Sequence, residues 1–233
     1  MQLAEILQRH PVWRGRPLAG AAPAIATGYA SLDAELPGGG WPAGALTELL
    51  GRHEGVGELQ LVLPALAALT TAGKRVVWLA PPHLPYAPAL VAAGVDLANL
   101  AVVRAPGPRD ALWAAEQALR GTGCHALLAW FRAVRYPELR RLAVAAEGSR
   151  AFVALFRPPQ AEREPSPAPL RIALEPAAAG LALRIFKRRG APAAVPLQLQ
   201  VKRPVHALGR PASPEPRRGN VGERRRLDLP VHA

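Results

Sequence analysis

Residues 45–63 read ALTELLGRHEGVGELQLVL, an apolar segment typical of a strand that runs into a glycine-rich turn and then into a helix-like segment. In this arrangement the turn can present backbone N–H groups to a phosphate. Outward from it, strand-like and helix-like segments alternate: strands at 75–80, 100–105, 126–131 and 151–156, and helices at 58–72, 85–93, 109–120 and 137–147. Short, continuously apolar strands separated by helices predict an α/β fold with a mainly parallel sheet flanked by helices on both faces.

The chain beyond residue 156 departs from this alternation. Residues 157–169, RPPQAEREPSPAP, are polar and rich in proline, which predicts a mobile loop. Three apolar segments follow, at 170–175, 181–189 and 195–201, with turn signals between them. They predict an antiparallel C-terminal extension of the sheet.

These patterns divide the chain into three parts. Residues 1–44 comprise a short amphipathic helix, at 2–9, and a connector rich in glycine and proline. Residues 45–201 form the α/β core. Residues 202–233 are rich in Pro, Gly and Arg with few apolar residues, which predicts a basic, disordered tail.

The composition excludes several classes of protein. Half of the 233 residues are hydrophobic, which is typical of a globular domain. No apolar run reaches the roughly 18 residues that cross a bilayer, so we expect a cytoplasmic protein with no membrane partner. Cys124 is the single cysteine, which excludes an intrachain disulfide, and the six histidines show no metal-ligand spacing. The formal net charge of +12 favours an acidic partner such as nucleic acid.

The glycine-rich turn lacks the groups that hold a nucleoside triphosphate. A working phosphate loop has the pattern G-x-x-x-x-G-K-[ST], in which Lys binds the β- and γ-phosphates and the hydroxyl binds magnesium. Gly51 and Gly57 are one residue too far apart, and Glu58 and Leu59 follow the second glycine in place of Lys and Ser or Thr. We interpret Gly51, Gly55, Gly57 and Glu58 as a vestigial phosphate loop, with no catalytic residue, cofactor or metal. Glu58 is then expected to cap the helix N-terminus, with a residual nucleotide site as the alternative.

Several longer strings resemble known proteins. Thr27-Gly28, the run at 36–44 and Ala93-Gly94-Val95-Asp96 resemble segments of the RecA recombinase ATPase core. Longer strings look like the ImuA family, RecA-like proteins associated with translesion DNA synthesis: HPVWRG at 10–15, LPGGGWPAGALTELL at 36–50, APPHLPYAPAL at 80–90, SPAPLRIAL at 166–174 and KRRG at 187–190. The likeness extends over residues 1–200.

The resemblance implies a RecA-like core of the P-loop type in which the parts needed for ATP hydrolysis are missing. The Walker A lysine and threonine fall on Gly57-Glu58, the magnesium-binding acid falls on Trp130, and the glutamate that polarises water falls near Pro81-Pro82. Positioning and electrostatic stabilisation supply nearly all phosphoryl-transfer catalysis. The resemblance therefore implies a degenerate ATPase that is not an enzyme.

Basic residues cluster toward the C-terminus. Residues 184–226 hold 12 Lys or Arg against two Glu, a balance of +10. Contact with the phosphates of single-stranded DNA is one interpretation, with these candidates: Lys187, Arg188, Arg189, Lys202, Arg203, Arg224, Arg225 and Arg226. Contact with protein and a purely solubilising tail are the alternatives.

The tryptophans suggest two roles. Trp78, Trp113 and Trp130 lie in apolar periodic segments and are expected in the core. Trp13 lies beside Arg14 and Arg16, a combination favoured at protein interfaces, although a Trp that closes an N-terminal cap onto the core is an equal alternative.

The resemblance implies an accessory protein of DNA-damage tolerance, active in the SOS response as a non-catalytic adaptor of a mutasome. It implies as partners an ImuB-like Y-family polymerase homologue and an error-prone polymerase III α-type subunit, with RecA as a further candidate. A divergent DNA-dependent ATPase and a SulA-like cell-division inhibitor are the alternative functions.

Overall fold

An eight-stranded mixed sheet organises the chain. The computed structural model describes residues 24–52, 57–177, 180–190 and 195–201. Two strands, β1 (Ala24–Ile25) and β2 (Trp41–Pro42), form a small antiparallel pair. The large sheet contains, in chain order, β3 (Ala45–Gly51), β4 (Val76–Leu79), β5 (Leu100–Val103), β6 (Ala126–Trp130), β7 (Phe152–Arg157), β8 (Leu170–Ala177), β9 (Gly180–Lys187) and β10 (Leu197–Leu199).

The spatial order of the strands is β10-β9-β8-β3-β7-β6-β4-β5. The six strands from β3 to β8 are mutually parallel, and β9 is antiparallel to both β8 and β10. The predicted mainly parallel sheet and its antiparallel C-terminal pairing are both confirmed. The antiparallel part begins one strand later than expected, because β8 also pairs with β3 and runs parallel to it.

Helices cover the two faces of the sheet. They are α1 (Ala30–Glu35), α2 (Glu58–Thr71), α3 (Ala87–Ala92), α4 (Pro108–Arg120) and α5 (Tyr136–Ser149), with short 3-10 helices at Leu97–Asn99 and Pro159–Arg163. Successive strand residues point to opposite faces, so Leu127 packs in the core with α4 and α5, whereas Leu128 packs in the core with α2. This two-sided burial explains why the central strands are continuously apolar. Among the described helices, none is long and apolar enough to cross a membrane.

The part of the glycine- and proline-rich connector that is described, 24–44, packs onto the core. Leu32 and Trp41 are fully buried and Leu36 is nearly so. The Trp41 ring stacks on Phe152 with the ring centroids 5.2 Å apart. The expected N-terminal helix at 2–9 and the tail from residue 202 onward lie outside the described residues.

Residues 158–169, here called the strap, are held in place by hydrogen bonds and burial, so the prediction of a mobile loop is wrong. Because β7 and β8 both run parallel to β3, the chain between them must return from the carboxyl end of the sheet to its amino end. The strap makes this crossover without an α-helix. The guanidinium of Arg171 donates to the carbonyl oxygens of Ala161 (2.6 Å), Glu162 (3.4 Å) and Glu164 (3.3 Å), and Ala168 is fully buried. These contacts with β8 order a segment whose composition alone indicates a loop.

Candidate functional site

The carboxyl ends of the parallel strands form the edge where nucleotides bind in α/β sheets of this kind. Gly51 ends β3 at this edge, and Gly57 precedes α2 with a φ of +105°. The carboxylate of Glu58, the first residue of α2, accepts the backbone N–H of Gly57 at 3.1 Å. Glu58 lies in the first turn of α2, where a negative charge stabilises a helix by about 0.3–1 kcal/mol. Gly55 lies outside the described residues.

An aromatic cluster occupies the same edge at the end of β6. Trp130 stacks on Phe156 with ring centroids 4.6 Å apart and an interplanar angle of 12°, and it meets Trp78 at 5.8 Å and 59°. Trp78 is 1% exposed and Trp130 is half-buried, which confirms the prediction of core packing for both. Trp130 is the residue on which the resemblance places the magnesium-binding acid, and its indole carries no charge to hold a cation.

Trp113 contradicts the prediction of core packing, because it is 63% exposed. Residues of a helix are about 100° apart around its axis. Ala111, Ala115 and Leu119 turn one face of α4 into the core, so Trp113, two residues after Ala111, faces the opposite way.

The loop after β4 carries no carboxylate in the position implied for a catalytic glutamate. Residues 80–86 read APPHLPY, in which Pro82 and His83 are exposed and Ala80 has a φ of +50°. Within the described ranges, no three His, Cys, Asp or Glu side chains lie close enough together to hold a metal ion. At the positions where the resemblance implies the groups for ATP hydrolysis, the described part of this edge therefore presents prolines, an indole and the carboxylate of Glu58.

A buried ionic cluster, which the sequence analysis missed, joins three strands of the sheet to the strap. Glu48 in β3 is fully buried and accepts hydrogen bonds from Nη1 of Arg157 at 3.1 Å, from Nε of Arg171 at 2.5 Å and from the Ser166 hydroxyl at 2.9 Å. Arg157 also pairs with Glu164 of the strap at 2.7 Å. The sequence carried one signal for this cluster. ALTELL and LRIAL each contain a single charged residue, Glu48 and Arg171, and a charge inside an apolar strand needs a partner.

Three of the residues predicted to contact DNA lie among the described residues, at the end of β9: Lys187, Arg188 and Arg189. The Lys187 ammonium donates to the carbonyl oxygen of Ser166 at 2.7 Å, and burial, followed by the nearby charge of Arg171, lowers its pKa. The Arg188 guanidinium donates to both the carbonyl oxygen and the carboxylate of Glu35, and Arg189 is exposed. The remaining predicted contacts lie outside the described residues: Lys202, Arg203, Arg224, Arg225 and Arg226 for DNA, and Trp13, Arg14 and Arg16 for a partner protein.

The strand order and the glycine turn between β3 and α2 define a RecA-like α/β domain. The chain is similar to Protein ImuA of Caulobacter vibrioides, with 33% identity over 147 residues, in both strain NA1000 / CB15N and strain ATCC 19089 / CIP 103742 / CB 15. The match covers 60% of this chain and 60% of the length of those curated relatives. It confirms the expected resemblance as a distant similarity. No protein-family model matches the chain.

Proposed function

We propose that this protein is a non-catalytic, RecA-like accessory protein of DNA-damage-induced translesion synthesis, and that it acts as an adaptor in an error-prone polymerase assembly. The similarity to Protein ImuA supports the biological setting. The observation that carries the non-catalytic role is the stack of Trp130 on Phe156, at the position implied for the magnesium-binding acid.

The physical argument concerns the charges that phosphoryl transfer needs. Metal ions and a lysine neutralise the charge that develops on the transferred phosphate. In this proposal the indole of Trp130 stands where the resemblance implies the metal-binding carboxylate, and Glu58 follows Gly57 where a working phosphate loop has Lys. A carboxylate about 4 Å from a phosphate repels it by about 4 kcal/mol per charge pair at an effective dielectric constant near 20.

The proposed partners are an ImuB-like Y-family polymerase homologue, an error-prone polymerase III α-type subunit and single-stranded DNA, with RecA as a further candidate. For DNA, we propose that the tail supplies most phosphate contacts, because residues 202–226 contain eight Lys or Arg and two Glu. Lys187 and Arg188, in contrast, already donate to groups of the same chain.

The first experiment is fluorescence anisotropy of a labelled oligothymidine with the full-length protein, over a salt series, with and without ATP and magnesium. We expect affinity that falls steeply with salt, that ATP does not change, and that is lost in a chain ending at residue 201. An effect of ATP on affinity, or an ATP-dependent rise in Tm, would favour the divergent ATPase instead. Absence of DNA binding would assign the tail to protein partners.

The second experiment measures mutation frequency after ultraviolet irradiation in a strain that lacks the protein. We expect the deletion to abolish the damage-induced increase, and both the wild-type chain and Glu58→Ala to restore it. A deletion strain with unchanged induced mutagenesis would contradict the proposed role. Filamentation of cells on overproduction would instead indicate a cell-division inhibitor.

A further inference from the structure

The strand β5 forms an open edge of the large sheet. Its sequence, LAVV, contains no charge and no proline, the features that commonly keep an edge strand from pairing with another chain. The carbonyl oxygen of Val103 accepts the backbone N–H of Ala80, on the β4 side. Backbone groups alternate in direction along a strand, so those of Leu100 and Val102 point outward, where no described strand pairs with them.

The surface beside this edge is apolar and nearly free of charge. Counting His as neutral, residues 81–103 contain one charged side chain, Asp96, although one residue in five is charged over the whole chain. The Asp96 carboxylate accepts the N–H of Ala98 and the side-chain amide of Asn99, both at 3.0 Å. Of nine exposed large apolar side chains in the described residues, five lie within 84–102: Leu84, Tyr86, Val91, Leu97 and Val102. Exposed apolar surface that is concentrated in this way is typical of a protein interface.

The helix α3 flanks the edge on one face of the sheet. Leu90 of α3 and Leu100 of β5 pack against the same core. Val102 lies two residues after Leu100 and therefore points to the same face, where it is 40% exposed. Val91 follows Leu90 around the helix and is exposed as well. The edge thus combines outward-pointing backbone groups with apolar side chains that add contact area beside them.

The charge of the chain favours a second copy as the occupant of this edge. Two copies that each carry a net charge of +12 repel each other, so a close contact between them requires a surface without like charges. An uncharged apolar strand meets this condition and is complementary to itself across a two-fold axis. A nucleic acid, in contrast, needs cations that residues 81–103 do not contain.

Arg104, the first charge after β5, does not oppose this contact. Antiparallel pairing carries the Arg104 residues of the two copies toward opposite ends of the strand pair. At about 3.4 Å per residue they are about 14–20 Å apart, beyond the Debye length of about 8 Å at physiological ionic strength.

We propose that this protein forms a two-fold symmetric dimer in which the β5 strands of two copies pair antiparallel and join the two sheets. Pairing of the outward-pointing groups places either Ala101 or Val102 at the axis. The two Val102 side chains then lie directly opposite or diagonally across from each other, within reach of a charge introduced on each. The dimer does not depend on the adaptor role proposed above.

The first test is sedimentation velocity of the full-length, nuclease-treated protein over a range of protein and salt concentrations. We expect a monomer–dimer equilibrium whose dissociation constant falls as salt rises, because salt screens the repulsion between the copies while the interface itself carries no charge. Association that weakens with rising salt would overturn the proposal and indicate contacts through bound nucleic acid or the basic tail.

The second test places charges at the axis. We expect Val102→Lys and Val102→Glu each to weaken dimerisation by at least about tenfold, because like charges then face each other, and an equimolar mixture of the two variants to restore it. The matched controls are Val144→Lys and Val144→Glu, at a 58% exposed position of α5, which should leave the dissociation constant unchanged.

Three results of these tests would overturn the proposal. They are a wild-type chain that stays monomeric, dimers that persist undiminished in both Val102 variants, and variants whose mixture stays monomeric. The last result would mean that β5 meets another segment, such as residues 1–23, instead of itself. Should the Val102 variants fail to fold, hydrogen exchange of the wild-type chain decides: the amides of Leu100 and Val102 should exchange more slowly at concentrations where the dimer forms, and unchanged exchange would refute the pairing.

Discussion

Glu48→Gln tests the buried ionic cluster while keeping the side-chain volume. The side chains of Glu48, Arg157 and Arg171 are 0%, 1% and 6% exposed, so the substitution leaves two buried guanidinium groups without their shared carboxylate. Breaking a buried ion pair by neutralising one partner costs about 3–5 kcal/mol. Arg157 keeps Glu164, and Arg171 keeps its bonds to the strap carbonyls, so we expect the lower end, about 3 kcal/mol.

The assay is urea unfolding of the full-length chain, followed by tryptophan fluorescence and circular dichroism. For a chain of this size, about 3 kcal/mol corresponds to a fall in Tm of about 6–12 °C. The matched control is Glu162→Gln, which removes a carboxylate from an exposed pair with Arg184. Pairs of that kind contribute about 0–1 kcal/mol.

The same substitution should loosen the strap, because Glu48 holds both Ser166 and Arg171. We expect trypsin to cleave after the exposed Arg163 faster in Glu48→Gln than in the wild-type chain or the Glu162→Gln control. A loss of stability within about 1 kcal/mol of the control, or unchanged cleavage of the strap, would refute this reasoning.

Three further predictions concern single positions. Trp130→Ala should lower the free energy of unfolding by about 2–3 kcal/mol, as expected for a half-buried stacked ring. Trp113→Ala should change it by less than about 0.5 kcal/mol, because this side chain is exposed. Equal effects of the two substitutions in urea unfolding would contradict the placement of Trp130 in the core and Trp113 on the surface. Burial raises the pKa of the Cys124 thiol to about 11, so alkylation by iodoacetamide at pH 8 should be at least about 100-fold slower than in the unfolded chain. Because the folded pKa is the higher one, the contribution of Cys124 to stability should fall as pH rises from about 8.5 toward 11, and Cys124→Ala should make that decline shallower. Gly28→Ala places a methyl group 2.4 Å from a proline ring atom at a φ of +86°, and should cost about 2–4 kcal/mol. Gly39→Ala, at a φ of +76° with nothing within 4 Å, should cost only about 1–2 kcal/mol, as a thermal-unfolding comparison would show.

The strands and helices of the parallel core could be predicted from the sequence because their signals are local. An apolar run such as 126–131 indicates a strand buried on both faces wherever it lies in the sheet. The orientation of β8 could not be read in this way. The turn signals at 176–180 correctly indicated that β8 pairs with β9. The other neighbour of β8 is β3, and Glu48 and Arg171, which lie opposite each other in these two strands, are 123 positions apart in the chain.

The strap shows why composition alone does not predict whether a segment is ordered. Proline and charge in 157–169 are typical of a loop, and its order depends on Glu48 and Arg171, which lie outside it. Both charges were visible as isolated polar residues in apolar strands. Their pairing became apparent only with the register that sets Glu48 opposite Arg171.

At the candidate site the sequence indicates single positions and gives no sign that aromatic side chains cluster there. It predicts a phosphate loop without its Lys, and the resemblance implies that Trp130 stands where an ATPase has its magnesium-binding acid. The stack itself depends on the register of β6 against β7, which sets Trp130 opposite Phe156.

The placement of β3 has a consequence for the time course of synthesis. It is the first strand of the large sheet to leave the ribosome, and its neighbours β7 and β8 carry the partners of Glu48 109 and 123 residues later. At about 5–20 residues per second, a delay of 123 residues lasts about 6–25 s. Throughout that interval the apolar strand β3 and its acid Glu48 lack both neighbouring strands, so we expect chaperones to bind the nascent chain until most of the domain has been translated.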